Sequence, residues 1–138
     1  MIRVVIAGHG NFPSQIKSTA EKSLGKQEYV QAISIKFGEG QEDLVRKLDT
    51  VLDMATNDEV IVLTDLFGSS FCTGCICLAK SKGHVAVVTG VNLPMLLKVL
   101  TYRNRVGLTE LVSLACEGGK EGIRDACGLL DEVNTGSR

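Results

Sequence analysis

The sequence predicts an α/β fold: a three-layer open parallel sheet with helices on both faces. Two patterns carry that expectation. Short apolar, β-branched runs alternate four times with longer amphipathic stretches, and each connection is long enough for a crossover. The strongest run, Val60-Ile61-Val62-Leu63-Thr64, has no polar alternation, so it should be buried on both faces as strands of parallel sheets are. The common short doubly wound order is 2-1-3-4, flavodoxin-like, with strands one and three side by side at the centre.

The elements follow in order. Val4-Val5-Ile6-Ala7 reads as a short buried strand that stops at Gly8. Asn11 is placed to cap the first helix and Pro13 suits its first turn. Ile16, Ala20 and Leu24 fall four apart on one face, and Gly25 ends the helix. A second strand spans 29–35. Leu44, Val45, Leu48, Val51 and Leu52 mark a second amphipathic helix. The third strand, 60–64, runs into a helix opened by Gly68-Ser69-Ser70 and reaching about Ser81. A fourth strand spans 85–89, and Gly90-Val91-Asn92-Leu93-Pro94 turns into a fourth helix with Leu93, Leu96, Leu97 and Leu100 on one side. A fifth helix begins near Thr109, with an interruption or bend expected at Gly118-Gly119.

At 138 residues the chain is expected to form one domain, 1–133, with a small polar tail, 134–138, that frays. The 15 basic and 16 acidic residues nearly balance without a long like-charge run, which argues against nucleic acid or an anionic membrane as partner. The longest apolar runs are too short to span a bilayer. Met1-Ile2-Arg3 leads straight into the first strand with no signal peptide, so a cytosolic location is expected. Five cysteines, an odd number, are expected to be free thiols. No cofactor and no metal is called for.

The first strand ends in an isolated imidazole, His9, between Gly8 and Gly10. The third ends in Asp65. In the 2-1-3-4 order these two tips are neighbours at the crevice where α/β proteins bind ligands. A carboxylate beside an imidazole fixes the tautomer and stabilises positive charge on the ring, leaving the other nitrogen as a nucleophile. The helix start at Gly68-Ser69-Ser70 adds unpaired N–H groups and a positive dipole end to the same crevice, and Ser70 adds a hydroxyl. A nucleophilic nitrogen beside an anion hole suits an incoming phosphoryl group, whose transfer depends mostly on positioning and charge stabilisation.

These residues also resemble a known family. Ile6-Ala7-Gly8-His9-Gly10, Ser18-Thr19-Ala20-Glu21 with Leu24-Gly25, Val62-Leu63-Thr64-Asp65-Leu66-Phe67-Gly68 and Gly90-Val91-Asn92-Leu93-Pro94-Met95-Leu96 together resemble the IIA component of the mannose/fructose/sorbose family of the bacterial sugar phosphotransferase system, over nearly the whole chain. The resemblance implies a phosphotransferase component in which His9 takes a phosphoryl group from phospho-HPr and passes it to a cognate IIB, serving membrane IIC and IID components indirectly. It implies that Asp65 orients the ring and that Phe67, Gly68, Ser69 and Ser70 hold the phosphate. It further implies a homodimer, and a C-terminal antiparallel strand swapped between subunits, for which 127–133 is the candidate. The chain departs from the family's usual loop at two positions: Ser69 stands where a second glycine is usual, and Phe71 where proline is.

Other readings compete. Cys72-Thr73-Gly74-Cys75, with Cys77 behind it, is a C-x-x-C at a helix start, which suits redox or metal chemistry, but no second C-x-x-C or paired histidine completes a zinc site. As plain packing residues the same cysteines would seat the third helix on the sheet. The phosphoryl-relay subunit of the dihydroxyacetone kinase system also carries an early strand-tip histidine; the Asn-Leu-Pro-Met run argues for the sugar-transport branch. A regulator that binds partners without transferring phosphate is the third alternative. His84 precedes the fourth strand, at the end of the sheet away from His9, and is expected at the surface. Lys80, Lys82, Lys98, Arg103 and Arg105 are expected to form a solvated face.

Overall fold

The computed structural model describes residues 1–36, 38–55, 57–66 and 69–136, apart from the side chains of 69–72 and 132–136. Strands β1 (Arg3–His9), β2 (Val30–Ile35), β3 (Val60–Thr64) and β4 (Val85–Thr89) form one parallel sheet in the order β2-β1-β3-β4. Helices α1 (Phe12–Leu24), α2 (Gln41–Met54), α3 (Ser69–Lys82), α4 (Leu93–Tyr102), α5 (Leu108–Glu121) and α6 (Ala126–Gly136) complete the described elements. The expected sheet and its order are both present. Strand β1 runs through Gly8 to His9, two residues past the expected stop, because Gly8 and His9 still pair with Ser34 and Ile35 of β2.

The strand period of two divides the core between the faces. Val4, Ile6, Ile61 and Leu63 face α1, α4 and α5, where they meet Ile16, Ala20, Leu96, Val99, Leu111 and Ala115. Val5, Ala7, Val60 and Val62 face α2 and α3, against Leu44, Leu48, Leu52 and Cys75. Each fully buried aliphatic side chain contributes about 1.5–3 kcal/mol. Every residue of β3 is buried, as its unbroken apolar run requires.

Helix α5 runs unbroken through Gly118 and Gly119, where an interruption is expected from sequence. Packing against α4 explains both glycines. A Cβ on Gly118 would lie 3.0 Å from Lys98 Cβ, and one on Gly119 would lie 2.9 Å from Met95 Cε. The close approach offsets a helix-propensity cost of about 1 kcal/mol per glycine. Asn92 fastens the same contact. Its Oδ1 accepts from the Met95 N–H at 2.9 Å, capping α4, while its Nδ2 donates to the Gly119 carbonyl at 3.0 Å. Asn11, by contrast, makes no side-chain cap for α1; its carbonyl accepts from Ser14 Oγ instead.

The C-terminal segment is a helix, not the antiparallel strand implied by the resemblance, and it continues through 134–136 of the expected tail. Its start is locally determined: Asp125 Oδ1 accepts from the Gly128 N–H at 3.0 Å, and the Asp125 carbonyl accepts from the Leu129 N–H. Arg103 also departs from expectation. It is 3% exposed rather than solvated. Its guanidinium donates to the carbonyls of Glu28 (2.7 Å), Ile2 (3.3 Å) and Tyr29 (3.4 Å) and to Gln27 Oε1 (3.2 Å). Burial pushes its pKa below the ordinary value. The clasp holds the segment 27–29, whose Tyr29 adopts a left-handed φ of 57°. Lys82 is bound by Asp53 and Asp49 of α2.

Candidate functional site

His9 is the last residue of β1, and Gly10 follows with φ 58°, a conformation that turns the chain into α1 and that glycine adopts without strain. Asp65 stands one residue beyond β3, its own N–H still donating to the Ala7 carbonyl at 3.3 Å. Adjacent central strands thus deliver the two side chains to one point. His9 Nδ1 lies 2.8 Å from Asp65 Oδ2.

Two backbone groups join them. The His9 N–H donates to the same Oδ2 at 2.8 Å, and the Leu66 N–H donates to Oδ1 at 2.8 Å. Three donors therefore fix one carboxylate. Gly8 leaves space for it: a Cβ there would lie 2.6 Å from Asp65 Cγ. Sequence reasoning does not find the two backbone donors or this use of Gly8. The one available signal is a glycine directly before the histidine, and that reads equally well as freedom to turn.

The arrangement sets the ring's chemistry. A carboxylate only accepts hydrogen bonds, so the hydrogen on the Asp65 side belongs to Nδ1. Nε2 then carries the lone pair and points away from Asp65. The His9 side chain is 48% exposed and that of Asp65 only 14%, so the nucleophile is open while its orienting partner is sheltered. Positive charge developing on the ring would be balanced at 2.8 Å.

Of the residues expected to hold phosphate, Ser69 and Ser70 open α3, so a helix N-terminus begins four residues after Asp65. Their side chains, and Phe67 and Gly68 altogether, lie outside the described residues. His84 is exposed before β4, where its carbonyl accepts from the Val60 N–H, at the amino end of the sheet and remote from His9. Cys75 is buried in the α2–α3 core and Cys77 is exposed, so they do not share an environment; the side chain of Cys72 lies outside the described residues. Among the described residues no group of three or more His, Cys, Asp or Glu side chains is placed to hold a metal ion. Nor, among them, is any helix long and apolar enough to cross a membrane.

With this geometry in view, the comparisons with known proteins are specific. The family model EIIA-man, described as "PTS system fructose IIA component", matches residues 3–115. The chain belongs to this family. It is 38% identical over 125 residues to the mannose-specific EIIAB component of the phosphotransferase system of Escherichia coli K12, covering 89% of this chain but 39% of that longer protein. It is 29% identical over 139 residues to the fructose-specific EIIA component of Bacillus subtilis 168, covering 100% of this chain and 95% of the relative. The crystal structure of phosphotransferase system component EIIA from Streptococcus agalactiae superposes with a TM-score of 0.80 at 32% identity, covering 91% of this chain and 97% of that one. A mannose/sorbose-specific IIA subunit from Enterococcus faecalis shares the fold, with a TM-score of 0.81 at 21% identity. The chain is accordingly a IIA component of the mannose/fructose/sorbose type, and IIA components are phosphotransferase components.

Proposed function

We propose that this IIA component is a phosphohistidine carrier that accepts a phosphoryl group from phospho-HPr on His9 and passes it to a cognate IIB. The observation that carries the reading is the 2.8 Å contact of His9 Nδ1 with Asp65 Oδ2 at an exposed strand tip. In the step proposed, the Nε2 lone pair attacks phosphorus and the donor's N–P bond breaks, its electron pair remaining on the donor nitrogen. Nε2–P forms, and the hydrogen on Nδ1 stays where it is. The ring becomes positively charged, and Asp65 balances that charge. Phe67, Gly68, Ser69 and Ser70 are proposed to hold the phosphoryl oxygens at the start of α3. The carrier would work in the cytoplasm as a homodimer, feeding membrane IIC and IID components through IIB during sugar uptake.

The test is incubation with HPr, enzyme I and phosphoenolpyruvate, followed by mapping of acid-labile phosphate. His9→Ala is expected to abolish labelling and His84→Ala to leave it intact. Label that survives in His9→Ala refutes the assignment. A wild-type chain that binds phospho-HPr but takes no label would instead indicate a non-transferring regulator.

A further inference from the structure

We propose that the Glu39–Lys47 ion pair is a built-in cap on the β2 edge of the sheet, and that it keeps a second copy of this chain from adding there as a further strand. Among the described strands β2 pairs with β1 alone. The Val4 N–H donates to the Tyr29 carbonyl at 3.0 Å, and the Gly10 N–H to the Ile35 carbonyl at 2.8 Å. Along a strand the residues that bond one neighbour alternate with those that face away, so Tyr29, Gln31, Ile33 and Ile35 turn their backbone groups toward β1. Val30, Ala32, Ser34 and Lys36 turn theirs outward, where an added strand would pair.

At the carboxyl end of that edge the groups are already taken. Lys47 Nζ donates to the Ser34 carbonyl at 3.0 Å, and Glu39 Oε1 accepts from the Lys36 N–H at 2.8 Å. Lys47 Nζ and Glu39 Oε1 are themselves 2.9 Å apart. A residue of a neighbouring parallel strand would supply the same two things here, an N–H for the carbonyl and a C=O for the N–H. The ion pair therefore stands in for one residue of a further strand, with an ammonium as donor and a carboxylate as acceptor. Both bonds to the backbone are charge-assisted, so a neutral peptide group does not readily displace them. The Lys47 ammonium and the Lys36 N–H also hold the Glu39 carboxyl below its usual range, so the acceptor stays ionised. A pair this exposed, 37% for the Lys47 side chain and 30% for Glu39, adds little to stability; its effect is on what the edge can bind.

The rest of the edge is short. Tyr29, with φ 57°, takes the chain out of extended geometry directly before Val30. Beside the edge runs a groove of about 410 Å³ lined in part by Ala32, Ser34, Lys36 and Lys47, so an added strand would have room if the cap were gone. Strand β4 differs: no described side chain bonds the outward backbone of Val85 or Val87. Two open edges would let β4 of one copy pair with β2 of the next, a head-to-tail contact that repeats without closing. With β2 capped, that series does not start.

The test removes the cap. Lys47→Met keeps the aliphatic stem and a good helix former in α2 but loses the donor, so the fold is retained. Sedimentation at micromolar concentration is expected to give a mass about twofold or more above that of the wild type, rising with concentration. Hydrogen exchange reads the edge itself: the Ala32 and Ser34 N–H groups, which bond nothing among the described residues, are expected to become protected in the Lys47→Met assembly. Lys47→Arg can still donate to Ser34 and Glu39 and is expected to stay at the wild-type mass. Adding Ala32→Pro to Lys47→Met removes an outward N–H that the sheet does not use and is expected to restore that mass. Circular dichroism checks that each variant is folded; if the proline variant is not, exchange at Ala32 and Ser34 decides alone. The proposal is overturned if Lys47→Met keeps the wild-type mass, or if it assembles while Ala32 and Ser34 stay open to exchange, which would place the contact elsewhere. Assembly of Lys47→Arg to the same extent also overturns it.

Discussion

Replacing Asp65 with Asn keeps the shape of the side chain and removes its charge. The structure says what this does. Three N–H groups converge on the carboxylate: His9 N–H and His9 Nδ1 on Oδ2, and Leu66 N–H on Oδ1. A carboxamide has one accepting oxygen, so it cannot serve both sides. With its oxygen toward His9, its NH2 opposes the Leu66 N–H. With its oxygen toward Leu66, its NH2 opposes the His9 N–H and donates to Nδ1, which moves the ring hydrogen to Nε2 and leaves no outward lone pair. Either orientation loses one backbone hydrogen bond to a charged acceptor, which costs about 1.5–3 kcal/mol of stability. Only the first orientation is reactive, and it meets the positive phosphohistidine ring with a neutral oxygen. Losing the charge-assisted part of that bond, again about 1.5–3 kcal/mol, corresponds to a rate loss of roughly 10- to 150-fold. The fraction held in the unreactive orientation adds to it. Phosphotransfer from phospho-HPr is therefore expected to slow by at least ~10-fold, and by ~10²-fold at the upper end of that range, in a protein that remains folded. Rapid-quench kinetics with circular dichroism on the same samples measures both. A near-normal rate in a folded variant would mean that Asp65 does not set the state of the His9 ring.

Three further outcomes are expected. Arg103→Leu removes the donor to the carbonyls of Glu28 and Ile2, while the Tyr29 carbonyl keeps the Val4 N–H, so it should cost about 2 kcal/mol, visible as a lower thermal midpoint, while transfer at the opposite end of the sheet persists. An unchanged midpoint would contradict the clasp. Cys75 is buried in the α2–α3 core, so replacing Cys72 and Cys75 together with Ser should lower stability by about 1–3 kcal/mol more than it affects transfer; activity switched by reductant or chelator, or zinc that copurifies stoichiometrically, would refute this. Strand β4 ends the sheet with an edge that no described strand pairs, so sedimentation at micromolar concentration should report a homodimer, and a species of 14.8 kDa would refute that.

What was legible in the sequence was what neighbouring residues decide. The unbroken apolar runs at 4–7 and 60–64 identify strands covered on both faces, and these are the central pair. The second run, 29–35, forms β2 at the edge of the sheet, as the 2-1-3-4 order requires. Because the central pair is fixed, so is the meeting of His9 and Asp65, two tips on neighbouring strands. What was illegible depends on distant partners. Arg103 looks solvated beside Asn104 and Arg105, but its acceptors lie 74 to 101 residues away. Gly118 and Gly119 look like a break within their own helix; only the approach of α4 turns them into a packing seam. The C-terminal helix is the opposite case. There the family resemblance implies a strand, and the structure instead has a helix started locally by Asp125, whose Oδ1 accepts from the Gly128 N–H.

The division of labour at the site follows from the same distinction. His9 and Asp65 are held by buried backbone: Thr64, directly before Asp65, and Ala7, two residues before His9, are fully covered, and paired strands leave little freedom at their tips. Rigidity of this kind is what an orienting hydrogen bond of 2.8 Å requires, since ring and carboxylate must keep their registration through every transfer. Substitutions behind the strand tips should therefore change reaction with every donor alike, because they disturb the ring and its carboxylate together.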